Sequence, residues 1–375
     1  MKIVFAGGGT GGHFYPIIAI AEQVNKVVDE QKIVEARLYY FSNSPYDKNA
    51  LFETGLEYHY VPAGKLRIYF SLQNFIDGFK MIFGFFVALM KLFFIYPDIV
   101  VGKGGGASFP TLLAAKILGI PTLIHESDTV PGRVNKLMGK YATRIALSYP
   151  EAAEFFPKDK TAWTGQPVRK DLHDATTEGA YEYLKLEPGI PVLVILGGSQ
   201  GAQKINDIVI DSLPELVTRY QIIHQVGAKN MADVTGRSGL VLEKNEHASR
   251  YRPFAFLNVL GTKMSYGAAA LVVSRAGSTL FEIALSGKPS IIIPITDSNG
   301  DHQRKNAYAY ARSGAAIVIE EENLSPHLLV SEIDNVISNP SKLKAMSTAA
   351  KQYAHPDAAY TIAKEIVHIA ESHEA

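Results

Sequence analysis

The chain has 375 residues, 47% hydrophobic and 20% charged, with 37 basic and 37 acidic side chains and no cysteine. That length suits two domains, each able to bury its own core. Zero net charge offers no basic surface for nucleic acid, and the lack of cysteine excludes disulfides, thiolate metal sites and cysteine nucleophiles. The start reads as a strand rather than as a signal peptide, so a cytoplasmic protein is expected.

The apolar run Met1–Phe5 leads into "AGGGTGGH" (6–13), and an apolar-periodic stretch from Phe14 to Val28 follows. A strand, a glycine loop and a helix start lie in one segment, which lets an anion approach backbone amides at the positive end of a helix. Gly7, Gly9 and Gly12 match G-x-G-x-x-G. The next strand, "RLYYFSNS", lacks the terminal acidic residue that holds a dinucleotide ribose, so a dehydrogenase is disfavoured. His13 stands at the helix start with Pro16 in the first turn. The helix dipole disfavours an imidazolium there, which favours a neutral general base over a histidine that only packs against the loop.

Residues 75–96, "FIDGFKMIFGFFVALMKLFFIY", approach the length and apolarity of a membrane span. Asp77, Lys80, Gly84, Ala88 and Lys91 recur at helical spacing on one stripe. A core helix and an interfacial helix both fit; a true span would strand a lysine and cut the first domain in two. "VGKGGGASFP" (101–110) is a second strand–glycine–helix unit, with Gly104, Gly105, Gly106 and Ser108 as an amide nest for phosphate and Lys103 as a charge.

Strands are expected at Ile3–Ala6, Leu38–Ser42, Ile99–Val101, Thr122–His125 and Arg144–Leu147, and again at Val192–Leu196, Gln221–Gln225, Leu271–Ser274, Ser290–Pro294 and Ala316–Ile319. Helical patterns such as Pro110–Leu118, Ala202–Val217 and Leu280–Ser286 alternate with them, the signature of a doubly wound parallel sheet made twice. "TAWTGQPVRKDL" (161–172) is the linker candidate. "VLVILGGSQGAQKIN" (192–206) repeats the strand–loop–helix device, with Ser199 and Gln200 adding side-chain hydrogen bonds. In 274–295, Thr279 and Glu282 form a T-x-x-E capping box, Arg275, Gly277 and Ser278 suggest an anion loop, and Glu282 could grip a ribose. "DSNGDHQRKNA" (297–307) reads as a polar loop, either solvated or facing sugar hydroxyls.

Together these motifs resemble the MurG family of peptidoglycan N-acetylglucosaminyltransferases over nearly the whole chain: "GGTGGH", "GKGG", "HES" followed by "PGRVNK", "GQPVR", "GGSQGA", "SRAG", "DHQRKNA" and "PDAA". The resemblance implies an α/β GT-B fold, two Rossmann-like doubly wound parallel-sheet domains facing a central cleft. Residues 1–162 would form the acceptor- and membrane-facing domain, 163–345 the UDP-GlcNAc-binding domain, and 346–375 a helix crossing back to the first. It implies inverting transfer of GlcNAc from UDP-GlcNAc to the 4-hydroxyl of undecaprenyl-linked lipid I, giving lipid II at the inner face of the cell membrane. Another GT-B lipid glycosyltransferase and a sugar-nucleotide epimerase are the alternatives.

By the same resemblance His13 and Glu126 are candidates for the base. Arg169 and Ser199 would meet the donor diphosphate, Gln200 would also bind the donor, Glu282 would hold the ribose, Gln303 and Asn306 the GlcNAc hydroxyls, and Val259–Met264 the uracil. Thr10, Gly11, Gly12 and Asp128 would lie near the donor sugar, and Gly9 with the 104–106 loop and Ser108 near the acceptor pyrophosphate. Phe79, Phe83, Phe86, Met90, Phe93 and Phe94 would face lipid, with Lys80 and Lys91 near headgroups. No cofactor or metal is expected, and no D-x-D triplet occurs. The family's H-E-Q-N stands here as His125-Glu126-Ser127-Asp128, its G-N-P-V-R as "GQPVR", and the 275–282 loop is one residue short.

Overall fold

The structure is a computed structural model that describes residues 1–64, 72–173, 175–198, 201–296 and 299–374. Two compact units form, Met1–Arg169 with His355–Ala375, and Lys170–Ala354. In the first, β1 (Lys2–Ala6), β2 (Arg37–Ser42), β3 (Leu56–Tyr60), β4 (Ile99–Gly102), β5 (Thr122–Glu126), β6 (Arg144–Leu147) and β7 (Thr161–Trp163) make one parallel sheet in the order β3-β2-β1-β4-β5-β6-β7. Its helices are α1 (Gly11–Glu30), α2 (Lys48–Glu53), α3 (Leu72–Ile95), α4 (Phe109–Ile117) and α5 (Arg133–Met138).

The second unit holds β8 (Val192–Leu196), β9 (Gln221–Gln225), β10 (Tyr251–Phe254), β11 (Ala269–Ser274), β12 (Ser290–Ile292) and β13 (Ala316–Val318), all parallel in the order β10-β9-β8-β11-β12-β13. Its helices are α6 (Ala180–Tyr183), α7 (Gln203–Arg219), α8 (Met231–Val241), α9 (Val259–Ala268), α10 (Thr279–Leu285), α11 (His302–Ala311), α12 (Pro326–Ile337) and α13 (Pro340–Tyr353). Parallel sheets are covered on both faces, so central strands read as continuous apolar runs; all five residues of β8 are buried.

Sequence analysis missed β3, β7 and β10, and each is an edge strand. Edge strands bury only part of their length and tolerate polar residues and proline, as Pro253 in β10 illustrates. β7 therefore occupies the start of the expected 161–172 linker. Residues 163–165 are tied to β6 and its end, by Gly165 N–H to Leu147 O at 3.0 Å and Trp163 Nε1–H to Ser148 O at 3.1 Å. The first unit thus runs on to Arg169, past the expected 162, and α13 stays with the second unit, past the expected 345. The last helix, α14 (Ala358–Glu374), belongs to the first unit. Its Ile362, Ile366 and Val367 are buried in one cluster with Phe14, Ile17 and Val24 of α1, and Tyr360 Oη donates to Glu30 at 2.7 Å.

Residues 75–95 lie in α3. It connects β3 and β4 of one sheet, so it does not divide the unit, and it lies on the sheet with one stripe inward. Ala88 and Leu92 are fully buried, and Gly84 approaches the Pro62 carbonyl so closely that an ideal Cβ would stand 1.8 Å from that oxygen. The other face is open: Phe79, Phe83, Phe86, Met90, Phe93 and Phe94 are 61%, 63%, 56%, 56%, 62% and 75% exposed. Lys80 is exposed and pairs with Asp77 at 3.7 Å. Lys91 corrects the expectation: it turns inward, its Nζ 3.4 Å from His59 Nδ1 on β3.

Candidate functional site

In an open parallel sheet, ligands bind beyond the carboxyl ends of the strands where the strand order reverses. In the first unit that point lies between β1 and β4. Ala6 pairs with Gly102, so the glycine loops that follow the two strands are adjacent. Lys103 N–H donates to Ala6 O at 2.9 Å, and a Cβ on Gly7 would meet Lys103 Cβ at 3.1 Å. Gly105, at φ +74°, passes beneath the His13 ring, 3.6 Å from Nε2 to the place a Cβ would take. The left-handed backbone favours glycine there, while the ring itself lies at ordinary contact distance.

His13 is half-buried in the first turn of α1, with Nδ1 2.9 Å from Thr10 Oγ1. Burial and the Lys103 ammonium lower its ring to about 4, against the opposing pull of Asp128. The ring is therefore neutral at pH 7. Base chemistry uses the tautomer in which Nδ1–H donates to Thr10, leaving the Nε2 lone pair to accept a proton. Gly9 and Thr10 are exposed, and Gly11 and Gly12 half-buried, at the rim of this loop.

Glu126, at the end of β5, is 3% exposed and each of its oxygens takes two donors. Ser127 N–H and Asp128 N–H reach Oε1 at 2.7 and 3.0 Å, and Gly132 N–H and Asn135 Nδ2 reach Oε2 at 3.0 and 2.9 Å. The carboxylate is thereby committed to bracing the 127–135 loop, a structural post rather than a base open to substrate. Burial and Asp128 raise its pKa. Ser108 is likewise turned inward, fully buried with its hydroxyl on Gly105 O at 3.0 Å, so it closes its own loop instead of facing a phosphate.

Lys103 is 2% exposed, and its ammonium donates to Ser127 Oγ. Ser127 donates onward to Gln166 Oε1 at 2.7 Å, which also accepts from Ser148 Oγ at 2.7 Å. Ser127 and Gln166, both departures from the family pattern, therefore touch each other. Sequence reading could not find this contact, because 127 and 166 lie far apart along the chain. Arg169 places its guanidinium 3.9 Å from the centroid of the Tyr15 ring, a stacking that leaves its in-plane N–H groups able to meet an anion. Tyr15 had no signal in the sequence beyond helical periodicity.

In the second unit the order reverses between β8 and β11. The loop after β8 carries Gly198 and Gly201 at φ +78° and +77° and opens α7; Ser199 and Gln200 lie outside the described residues. After β11, Arg275 corrects the anion-loop expectation. Its Nη1 donates to Ile293 O at 3.1 Å and its Nη2 to the Glu321 carboxylate, so it ties three segments together. α10 begins at Thr279, and Ser278 before it has helical backbone and no side-chain cap bond, so Thr279 sits inside the first turn rather than at the cap position. Glu282 is half-buried and accepts from Tyr266 Oη of α9 at 3.2 Å.

The polar segment 297–307 is helical from His302 onward, an α-helix with one face buried where a polar loop was expected. Gln303 is half-buried, its Oε1 accepting from Ile295 N–H at 3.2 Å. Asn306 is 1% exposed and donates to Ala276 O at 3.2 Å, which makes it a brace for the 275–278 loop rather than a sugar contact. Asn258 caps α9, accepting from Gly261 N–H at 2.7 Å, at the start of the Val259–Met264 stretch. Among the described residues no group of three or more His, Asp or Glu gathers as a metal site.

Comparison with known proteins follows this geometry. Residues 3–147 match the glycosyltransferase family 28 N-terminal domain and residues 192–362 the family's C-terminal domain. The UDP-N-acetylglucosamine–N-acetylmuramyl-(pentapeptide) pyrophosphoryl-undecaprenol N-acetylglucosamine transferase of Treponema denticola is 36% identical over 96% of this chain and 96% of its own. The enzyme of the same name from Halothermothrix orenii is 36% identical over 96% and 97%. The crystal structure of MurG from Acinetobacter baumannii superposes with a TM-score of 0.72 at 24% identity, covering 98% of this chain and 99% of that one. A UDP-GlcNAc 2-epimerase from Neisseria meningitidis gives 0.67 at 14% identity over 98% and 100%, so the fold is shared beyond the transferases. The chain belongs to glycosyltransferase family 28, among the MurG N-acetylglucosaminyltransferases.

Proposed function

We propose that this chain moves GlcNAc from UDP-GlcNAc to the 4-hydroxyl of undecaprenyl-pyrophosphoryl-MurNAc-pentapeptide, releasing UDP and forming lipid II for peptidoglycan. The full-length similarity to transferases of that name carries the reading. In the first unit, neutral His13 takes the proton of the attacking hydroxyl, and the exposed Gly9 with the half-buried Gly105 and Gly106 faces the acceptor pyrophosphate. Arg169 and backbone amides meet the charge on the leaving diphosphate, and no metal is required. In the second unit, Glu282 holds the ribose, Gln303 the sugar, and the start of α9 the uracil.

The acceptor is anchored in lipid, and drawing its chain out costs about 0.8 kcal/mol per CH₂. The exposed aromatic face of α3 supports docking at the inner surface of the cell membrane. Incubation with UDP-GlcNAc and lipid I in vesicles, followed for UDP and lipid II, tests the reading, with an EDTA arm for the metal. Turnover of UDP-GlcNAc without acceptor would favour the epimerase alternative instead.

A further inference from the structure

We propose that Tyr15 is the positioning residue of Arg169, its ring face holding the guanidinium at the start of α1 so that the N–H fork meets an anion already aimed. The inference rests on Arg169 meeting the donor diphosphate, and it adds a residue that acts through it.

The two side chains reach one place by separate routes. Arg169 ends the first unit just beyond an anchored segment: Gly165 N–H bonds Leu147 O at 3.0 Å, and Gln166 Oε1 accepts from Ser127 and Ser148. The backbone is thereby placed, while the long side chain is left to settle. Among the described residues no carboxylate or carbonyl bonds its guanidinium, unlike that of Arg275, which is spent on Ile293 O and Glu321. The contact it does make is with the Tyr15 ring, whose centroid lies 3.9 Å from Cζ. A guanidinium on a ring face is held by charge and dispersion and keeps its in-plane N–H groups for an anion.

The ring itself is firmly seated. Tyr15 lies in the first turn of α1, half-buried against the core of the first unit. It meets the Phe14 ring at 5.4 Å and the Tyr46 ring at 5.9 Å, both edge to face. Tyr46 in turn packs on Phe14 at 5.0 Å, with its backbone at φ +56°. That left-handed conformation is unfavourable for tyrosine and persists where packing compensates it. A Cβ on Gly11 would stand 2.9 Å from Tyr46 Oη and 3.4 Å from Tyr15 Cε2, so both rings lie over the first residue of the helix. The platform brings the guanidinium to the positive end of α1, and cation and helix end attract the same anion.

Calorimetry of the full chain with UDP, beside ligand-observed NMR with uridine, which lacks the diphosphate, separates positioning from structure. Arg169→Ala should weaken UDP and spare uridine. Tyr15→Leu should weaken UDP by about three- to tenfold, again sparing uridine, while Tyr15→Phe keeps the ring face and should stay within about twofold of wild type. The double variant Tyr15→Leu/Arg169→Ala should lose no more than Arg169→Ala alone, because the ring acts only through the guanidinium. Wild-type UDP affinity in Tyr15→Leu, an equal loss for UDP and uridine, or a Tyr15→Phe protein as weak as Tyr15→Leu overturns the positioning role. Should Tyr15→Leu not fold, pentafluorophenylalanine in place of Tyr15 decides, since it keeps the ring's shape and reverses the charge of its face. Weaker UDP binding with uridine unchanged then supports the inference, and wild-type affinity overturns it. Failure of the underlying diphosphate reading is distinct, for Arg169→Ala would then bind UDP as the wild type does.

Discussion

Tyr266 Oη donates to Glu282 Oε2 at 3.2 Å, joining the buried phenol of α9 to the first turn of α10. The carboxylate is thus held by a partner on another helix. Glu282→Ala should weaken UDP-GlcNAc binding by about 1–3 kcal/mol, and Tyr266→Phe by about 0.5–1.5 kcal/mol. Calorimetry reads both. Unchanged donor affinity in a folded Glu282→Ala protein would show that the ribose is held elsewhere.

His13→Ala should lower turnover by roughly two to four orders of magnitude with little change in donor affinity, as loss of a general base does. Since the ring is lowered to about 4, the acid limb of kcat/KM should lie near that pH rather than at the ordinary 6.5 of histidine. A limb near 6.5 would contradict the lowered ring.

Acid should also act on stability. His13 and His224 are lowered to about 4 and about 3, and His125 well below its ordinary value, all chiefly by burial. The unfolded chain takes up protons near 6.5 that the folded one refuses, so stability falls as the pH drops from 6.5 toward 4. Each such histidine contributes a slope approaching about 1.4 kcal/mol per pH unit inside that window. Denaturant midpoints across the range measure it, and His224→Phe, whatever its cost at pH 7, should show a shallower slope.

On α3, replacing Phe79, Phe83 and Phe86 together by serine should abolish co-sedimentation with anionic vesicles. UDP-GlcNAc binding and the melting temperature should stay close to wild type, because these rings are already exposed. Leu92→Ala is the contrast: fully buried, it should cost about 2–5 kcal/mol. Retained vesicle binding in the triple serine variant would move the docking surface elsewhere.

Two glycines of the same helix should respond in opposite directions to alanine. Gly84→Ala drives a methyl into the Pro62 carbonyl and should cost about 1–3 kcal/mol. Gly78 has nothing within 4 Å of its Cβ position, so Gly78→Ala should stabilise by about 0.5–1 kcal/mol through helix propensity. Thermal melts of the two variants decide.

By itself the sequence determined the doubly wound α/β plan. Central strands of a parallel sheet must be apolar throughout, and runs such as Val192–Leu196 announce them locally. It also placed the glycine loops and His13 at the strand ends, because left-handed backbone and helix starts leave local residue signatures. Of the edge strands, β13 was marked by its apolar run, whereas β3, β7 and β10 left no such mark, since an edge strand is paired on one side only. Whether Glu126, Ser108, Arg275 and Asn306 were ligands or braces was decided only by tertiary structure. A polar side chain in a loop looks the same in sequence whether its partner is substrate or the backbone of a distant segment. The same holds for Lys103, Ser127 and Gln166, whose partnership exists because β4, β5 and the segment after β7 end on the same side of one sheet. α3 shows both sides at once. Its spacing marked a stripe of distinct residues, but only packing against Pro62 and α4 turned Gly84 and Ala88 of that stripe inward, leaving Lys80 and the face with Phe79, Phe83 and Phe86 outside.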